Sequence, residues 1–131
     1  MSIAWVFPGQ GSQKKGMADH ILNLPGAKER FDLASNIIGR DLLAICRGEG
    51  LEAKTLSDIN DTRNTQPALF LIESILIDEL RRQGNTPSLM AGHSLGELVA
   101  LYAAEVIDAE SALSLLFHRS ELMAAAGGGS M

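Results

Sequence analysis

The sequence predicts an α/β fold with parallel strands, and three observations carry that expectation. Two short apolar runs, Ile3-Ala4-Trp5-Val6-Phe7 and Leu89-Met90-Ala91, each end at a glycine-bearing turn. That is the pattern of short strands in a parallel sheet. The chain between them has helical periodicity over far more than hairpin length, so the strands must be joined by a crossover. A further helical pattern then follows the second strand directly, giving the order strand, helices, strand, helix, helix.

Each element follows from its residues. Strand one is Ile3 to Phe7, closed by Pro8-Gly9, and an unbroken apolar run of this kind is expected to be buried on both faces. A loop runs from Pro8 to Gly16. Residues Ala27 to Ile38 place Phe31, Leu33, Ala34, Ile37 and Ile38 on one helical face. A short helix is predicted from Asp41 to Cys46, and residues 47–64 read mostly as loop. The strongest helix is expected to be capped by Asn64 or Thr65, with Pro67 in its first turn, and to run to Gly84. Strand two is about Ser88 to Gly92, followed by a helix over about Leu95 to Glu105. Asp108 caps a last helix that reaches Ala126, before Gly127-Gly128-Gly129.

Composition narrows the function classes. The chain has 131 residues, 46% hydrophobic and 21% charged, with a net charge of −5. There is no block of like charge, so the basic footprint of a nucleic-acid binder is missing. No apolar run approaches the roughly 18–20 residues of a membrane span, and the start lacks the basic flank of a signal peptide. The lone cysteine, Cys46, lies among Leu42, Leu43 and Ile45 and reads as an inert core thiol. One cysteine allows no internal disulfide, which fits a reducing cytoplasm. Asn60-Asp61-Thr62 matches a glycosylation pattern that has no meaning without secretion.

Gly92-His93-Ser94-Leu95-Gly96 carries the chemistry. It sits where an apolar strand meets an apolar helix, the setting of a nucleophile elbow. A serine on such a turn has a strained backbone, and side chains two residues to either side would crowd it. The following helix N-terminus lies under any oxyanion formed there. Parallel strands bring their C-terminal ends to one edge, so Gly9-Gln10-Gly11-Ser12-Gln13 is expected beside Ser94. The backbone amides of Gln10 and Leu95 could then form an oxyanion hole. A phosphate cradle is the competing reading of this loop. Gly11 and Gly16 have P-loop spacing, but Met17 stands where lysine is required, and the dinucleotide glycine pattern also fails.

Ser94 needs a base. His93 is adjacent in sequence and points elsewhere on an extended turn; His20 and His118 are placed by no signal. The base is therefore expected outside these residues. Arg119 on the apolar last helix reads either as a solvated arginine or as a fork for a substrate carboxylate. Gln66 reads either as a first-turn helix residue or as a polar group facing the site. Glu97 suits the first turn of its helix.

Four motifs together resemble a known family: Phe7-Pro8-Gly9-Gln10-Gly11-Ser12-Gln13, Thr65-Gln66-Pro67-Ala68-Leu69, Gly92-His93-Ser94-Leu95-Gly96-Glu97, and Arg119 downstream of the serine. In order and spacing they resemble malonyl-CoA:acyl carrier protein transacylases and the acyltransferase domains of polyketide and fatty acid synthases. Gly129-Ser130-Met131 is similar to the start of that family's next strand. The resemblance implies an α/β-hydrolase-like acyltransferase core, represented here by its first two strands and surrounding helices. It implies malonyl transfer from coenzyme A to acyl carrier protein through an ester on Ser94, in fatty acid biosynthesis. Gln10 and Leu95 would hold the oxyanion, Arg119 would pair with the malonyl carboxylate, and Gln66 would line the site. No cofactor or metal is implied beyond coenzyme A as part of the substrate, and no nucleic-acid or membrane partner. Residues 1–131 would be the N-terminal portion of a larger domain, with the catalytic histidine and a ferredoxin-like subdomain in a second half, and inactive alone. Two other readings stay open: an α/β-type serine hydrolase using the same elbow, and a non-catalytic fragment that docks on a carrier protein.

Overall fold

The computed structural model describes residues 2–49 and 56–127. Its elements are β1 (Ala4–Phe7), α1 (Ala27–Ile38), α2 (Leu42–Arg47), α3 (Thr62–Arg82), β2 (Leu89–Gly92), α4 (Leu95–Ala103) and α5 (Ala109–Ala126). The expectation for Gly129-Ser130-Met131, and with it Gly128, lies outside the described residues.

β1 and β2 form a two-stranded parallel sheet, in register from Ala4 opposite Leu89 to Phe7 opposite Gly92. Parallel pairing puts both C-terminal ends on one edge. Burial on both faces was the expectation for β1, and the structure corrects it. Along both strands exposure alternates, so Trp5, Phe7 and Met90 pack on the core while Val6 is 74% and Leu89 57% exposed. Helices cover one face only, and no element among the described residues lies over the other.

α3 is the central helix, packed against α5, α4, α1 and α2. Its Phe70 and Leu71 are fully buried, as are Val99 of α4 and Leu113 and Leu116 of α5. Arg30 of α1 ties three helices together. It donates to Ser74 Oγ at 3.1 Å and to Tyr102 Oη at 3.0 Å, and pairs with Asp78 at 2.7 Å. At the far end, Arg81 lies over the Trp5 ring and donates to the Ala103 carbonyl, joining α3, β1 and α4.

The start of α3 differs from the sequence expectation. Asp61 is the cap, accepting from the Arg63 amide at 3.0 Å, and the Arg63 guanidinium on the same carboxylate holds it below its usual range. Asn64 and Thr65 are instead buried inside the helix. Asn64 Nδ2 donates to the Leu56 and Asp58 carbonyls, and the single Thr65 hydroxyl proton is shared between those of Ile59 and Asp61, so both staple the preceding loop. Pro67 therefore lies inside the helix, past its first turn. A proline there leaves the carbonyl four residues back without its helical donor. That carbonyl belongs to Arg63, and Arg40 donates to it at 3.1 Å while its Nε donates to Asn64 Oδ1 at 2.8 Å. The proline is tolerated because a side chain supplies the missing bond.

The remaining boundaries follow local chemistry. Asp41 caps α2 through the Ala44 amide, and Asp108 caps α5 through the Ser111 amide. α4 stops at Ala103, two residues before the expected end, because Glu105 turns left-handed at φ 63°.

Candidate active site

β2 ends at Gly92 and α4 begins at Leu95, so His93 and Ser94 alone make the turn between them. Ser94 has φ 56° and ψ −108°, a sparsely populated backbone for any residue with a side chain. The flanking glycines are explained by contact. A Cβ on Gly92 would sit 1.9 Å from the Gly96 carbonyl oxygen, and one on Gly96 would sit 2.1 Å from the Phe7 carbonyl oxygen. The loop after β1 meets the elbow equally closely. A Cβ on Gly9 would approach the His93 oxygen to 2.5 Å, and the His93 amide donates to the Phe7 carbonyl at 3.1 Å.

Gln10, Gln66, Ser94, Leu95 and Arg119 all line one cavity of about 670 Å³. The five side chains or amides singled out from the sequence thus meet at the C-terminal edge of the sheet. Arg119 Nη2 donates to Ser94 Oγ at 3.1 Å, and its Nη1 donates to Gln66 Oε1. Gln66 is 1% exposed. Arg119, half-buried, is therefore anchored in the cavity by a buried amide. Neither the Gln10 nor the Leu95 backbone N–H has an acceptor among the described residues.

The Gly9–Gln13 loop is a tight turn with its own internal bonds. Ser12 N and Oγ both donate to the Gly9 carbonyl, and the Gly11 amide donates to Gln13 Oε1. Two amides that a phosphate would need are thus already engaged within the loop. Gln13 Nε2 donates to Asn60 Oδ1 at 2.9 Å, fastening the turn to the segment before α3.

Among the described residues, none of the three histidines hydrogen-bonds Ser94. His20 and His118 are exposed, the latter edge-on to Phe117. His93 lines the cavity but makes no hydrogen bond to Ser94 Oγ, whose partner among the described residues is Arg119. Cys46 is fully buried, and burial pushes its thiol up to about 12, so it offers no rival nucleophile. Glu97 is exposed in the first turn of α4.

Two cavity residues escape sequence reasoning, Thr62 and Met123. Thr62 stands one helical turn before Gln66, and a helix drawn from residue 65 onward hides that relation. The signal that finds it is Asp61 as cap, which puts positions 62 and 66 on one face. Met123 stands in the same relation to Arg119 on α5.

Comparison with known proteins agrees with this geometry. The profile of the acyl transferase domain matches residues 4–131, and the chain belongs to that family. It is 47% identical over 131 residues to the malonyl CoA-acyl carrier protein transacylase of Synechocystis sp., covering 100% of this chain and 43% of that protein. It is 42% identical over 123 residues to the Escherichia coli K12 protein of the same name, covering 92% of this chain and 38% of the relative. The chain thus spans less than half the length of these relatives. The crystal structure of the Synechocystis malonyl-CoA:ACP transacylase superimposes with a TM-score of 0.87 at 50% identity, over 98% of this chain and 42% of that one. A malonyl-transacylase solved with its type II polyketide acyl-carrier protein gives 0.83 at 41% identity, over 96% of this chain and 40% of that one.

Proposed function

We propose that residues 1–131 form the N-terminal portion of a domain that moves a malonyl group from coenzyme A to acyl carrier protein through an ester on Ser94. One observation carries this reading: an arginine held by a buried glutamine reaches the elbow serine at 3.1 Å. A malonyl ester on Ser94 would project its free carboxylate about two bonds beyond the ester carbonyl. That is the region the Arg119 fork occupies. A hydrolase of simple esters has no use for a cation there.

In the first half-reaction Ser94 Oγ attacks the thioester carbonyl, and its proton passes to a base. The Gln10 and Leu95 amides hold the oxyanion, aided by the N-terminus of α4. Collapse of the tetrahedral intermediate forms the serine ester and expels the coenzyme A thiolate, which takes up a proton. In the second half-reaction the phosphopantetheine thiol of the carrier protein attacks that ester by the same route and regenerates Ser94. The base, a histidine, comes from the rest of the domain, together with further strands and the ferredoxin-like subdomain. Two features support this: the relatives' greater length and the apolar sheet face bearing Val6 and Leu89. The reaction needs no resident cofactor or metal. It takes place in the cytoplasm, in fatty acid or polyketide synthesis; no helix among the described residues is long and apolar enough to cross a membrane.

The test is intact-mass measurement of the complete protein carrying these residues after mixing with malonyl-CoA. The expected result is a malonyl adduct that is absent in Ser94→Ala. Carrier-protein binding without any adduct would favour a docking role instead.

A further inference from the structure

A one-way chain of hydrogen bonds crosses the cavity wall, and its direction is set by chemistry. The Arg119 guanidinium can only donate, so the Gln66 atom facing it must be the amide oxygen. Gln66 Nε2 then turns the other way, donating to Thr62 Oγ1 at 2.8 Å and to Met123 Sδ at 3.3 Å. With its oxygen accepting from Gln66, Thr62 spends its single proton on Gln10 Oε1 at 2.7 Å. The chain starts at the arginine on Ser94 and ends at Gln10, which lines the same cavity.

We propose that Thr62 is a positioning residue: its hydroxyl anchors the far end of the Gln66 amide that Arg119 orients, and it ties the Gln10 loop to that fork. This rests on the malonyl-transfer reading above. Thr62 makes no hydrogen bond to Ser94 or Arg119, and it acts through Gln66 and Gln10. Gln66 is buried, so its amide protons need acceptors. Without the hydroxyl, Nε2 keeps only the weak sulfur acceptor of Met123. Arg119 still selects the amide oxygen, but the amide loses the bond that fixes its position one helical turn away. Arg119 is released from the pose that reads a carboxylate. The Gln10 side chain loses its tie to α3 in the same step. Thr62 itself is the first residue of α3, half-buried, and the helix cap is Asp61, so the hydroxyl can be removed without removing the cap.

The experiment measures single-turnover ester formation on Ser94 from malonyl-CoA and from acetyl-CoA, in the complete protein carrying these residues. Thr62→Val is isosteric and lacks the hydroxyl; Thr62→Ala is the second variant should the first fold poorly; Thr62→Ser restores the hydroxyl. The expected result is that Thr62→Val lowers the malonyl-over-acetyl rate ratio about fivefold or more, with Thr62→Ser within about twofold of the parent. A merely structural threonine would slow both acyl donors in parallel and leave the ratio alone; that result overturns the proposal, as does failure of Thr62→Ser to restore the ratio. A parent protein that forms no malonyl ester overturns the transfer reading itself. A parent that does, with an unchanged ratio in Thr62→Val and Thr62→Ala, overturns only the role of Thr62.

Discussion

Gly96 presses its backbone against Phe7: a Cβ at position 96 would lie 2.1 Å from the Phe7 carbonyl oxygen. The first turn of α4 therefore rests on the end of β1 with no room for a methyl group. This contact holds the Gln10 loop beside Ser94, since Phe7 leads directly into it. Gly96→Ala forces backbone to move, because the obstructing atom is a carbonyl and not the tip of a side chain. The expected loss is about 3 kcal/mol or more in urea unfolding, with disappearance of Ser94 acylation. A variant of parental stability would show that the two turns are not in this contact.

Arg40 replaces a helical hydrogen bond. Pro67 leaves the Arg63 carbonyl without its amide donor, and Arg40 supplies one while also satisfying the buried Asn64. Arg40→Met keeps most of the apolar stem and removes the donors. The expected cost is about 1–3 kcal/mol, read by chemical denaturation. Pro67→Ala restores a backbone donor at that place, so the two substitutions should couple by about 1 kcal/mol in a double-mutant cycle. Strict additivity would contradict the compensation.

Glu73 on α3 has both carboxylate oxygens buried with no hydrogen-bond partner among the described residues, and burial pushes its acid up to about 8. The neutral acid is favoured in the folded chain relative to the unfolded one. The contribution is thus fully retained below the ordinary glutamate range near 4.5 and is lost as pH rises toward 8. Glu73→Gln removes the ionisation. The variant is expected to gain on the order of a few kcal/mol relative to the parent at pH 8, with the difference shrinking toward pH 4.5. Melting temperatures of both proteins across that range provide the check, and a pH-independent difference would contradict it.

The seven elements of the described residues were legible from the sequence, and the physical reason is local. Asp108 before an apolar helix, Gly84 after one, and glycine on either side of Ser94 are signals that need no tertiary context. The start of α3 was not legible. Asn64 and Thr65 are good caps by residue type, yet tertiary demand uses both to staple the loop, and only a long-range partner, Arg40, makes an interior Pro67 acceptable. That misplacement concealed Thr62. The exposure of Val6 and Leu89 was hidden for a different reason: an apolar run reports what a strand suits, not which of its faces a neighbour within the chain covers.

Malonyl transfer by this site depends on Arg119 reading a carboxylate on a Ser94 ester. The direct measurement is the rate of Ser94 ester formation from malonyl-CoA and from acetyl-CoA in the parent and in Arg119→Ala, on the complete protein. A charge-assisted pair of this kind is worth roughly 1.5–3 kcal/mol, so the variant should lose about tenfold to a hundredfold of its malonyl preference. Retention of the full malonyl preference in Arg119→Ala would contradict the assignment.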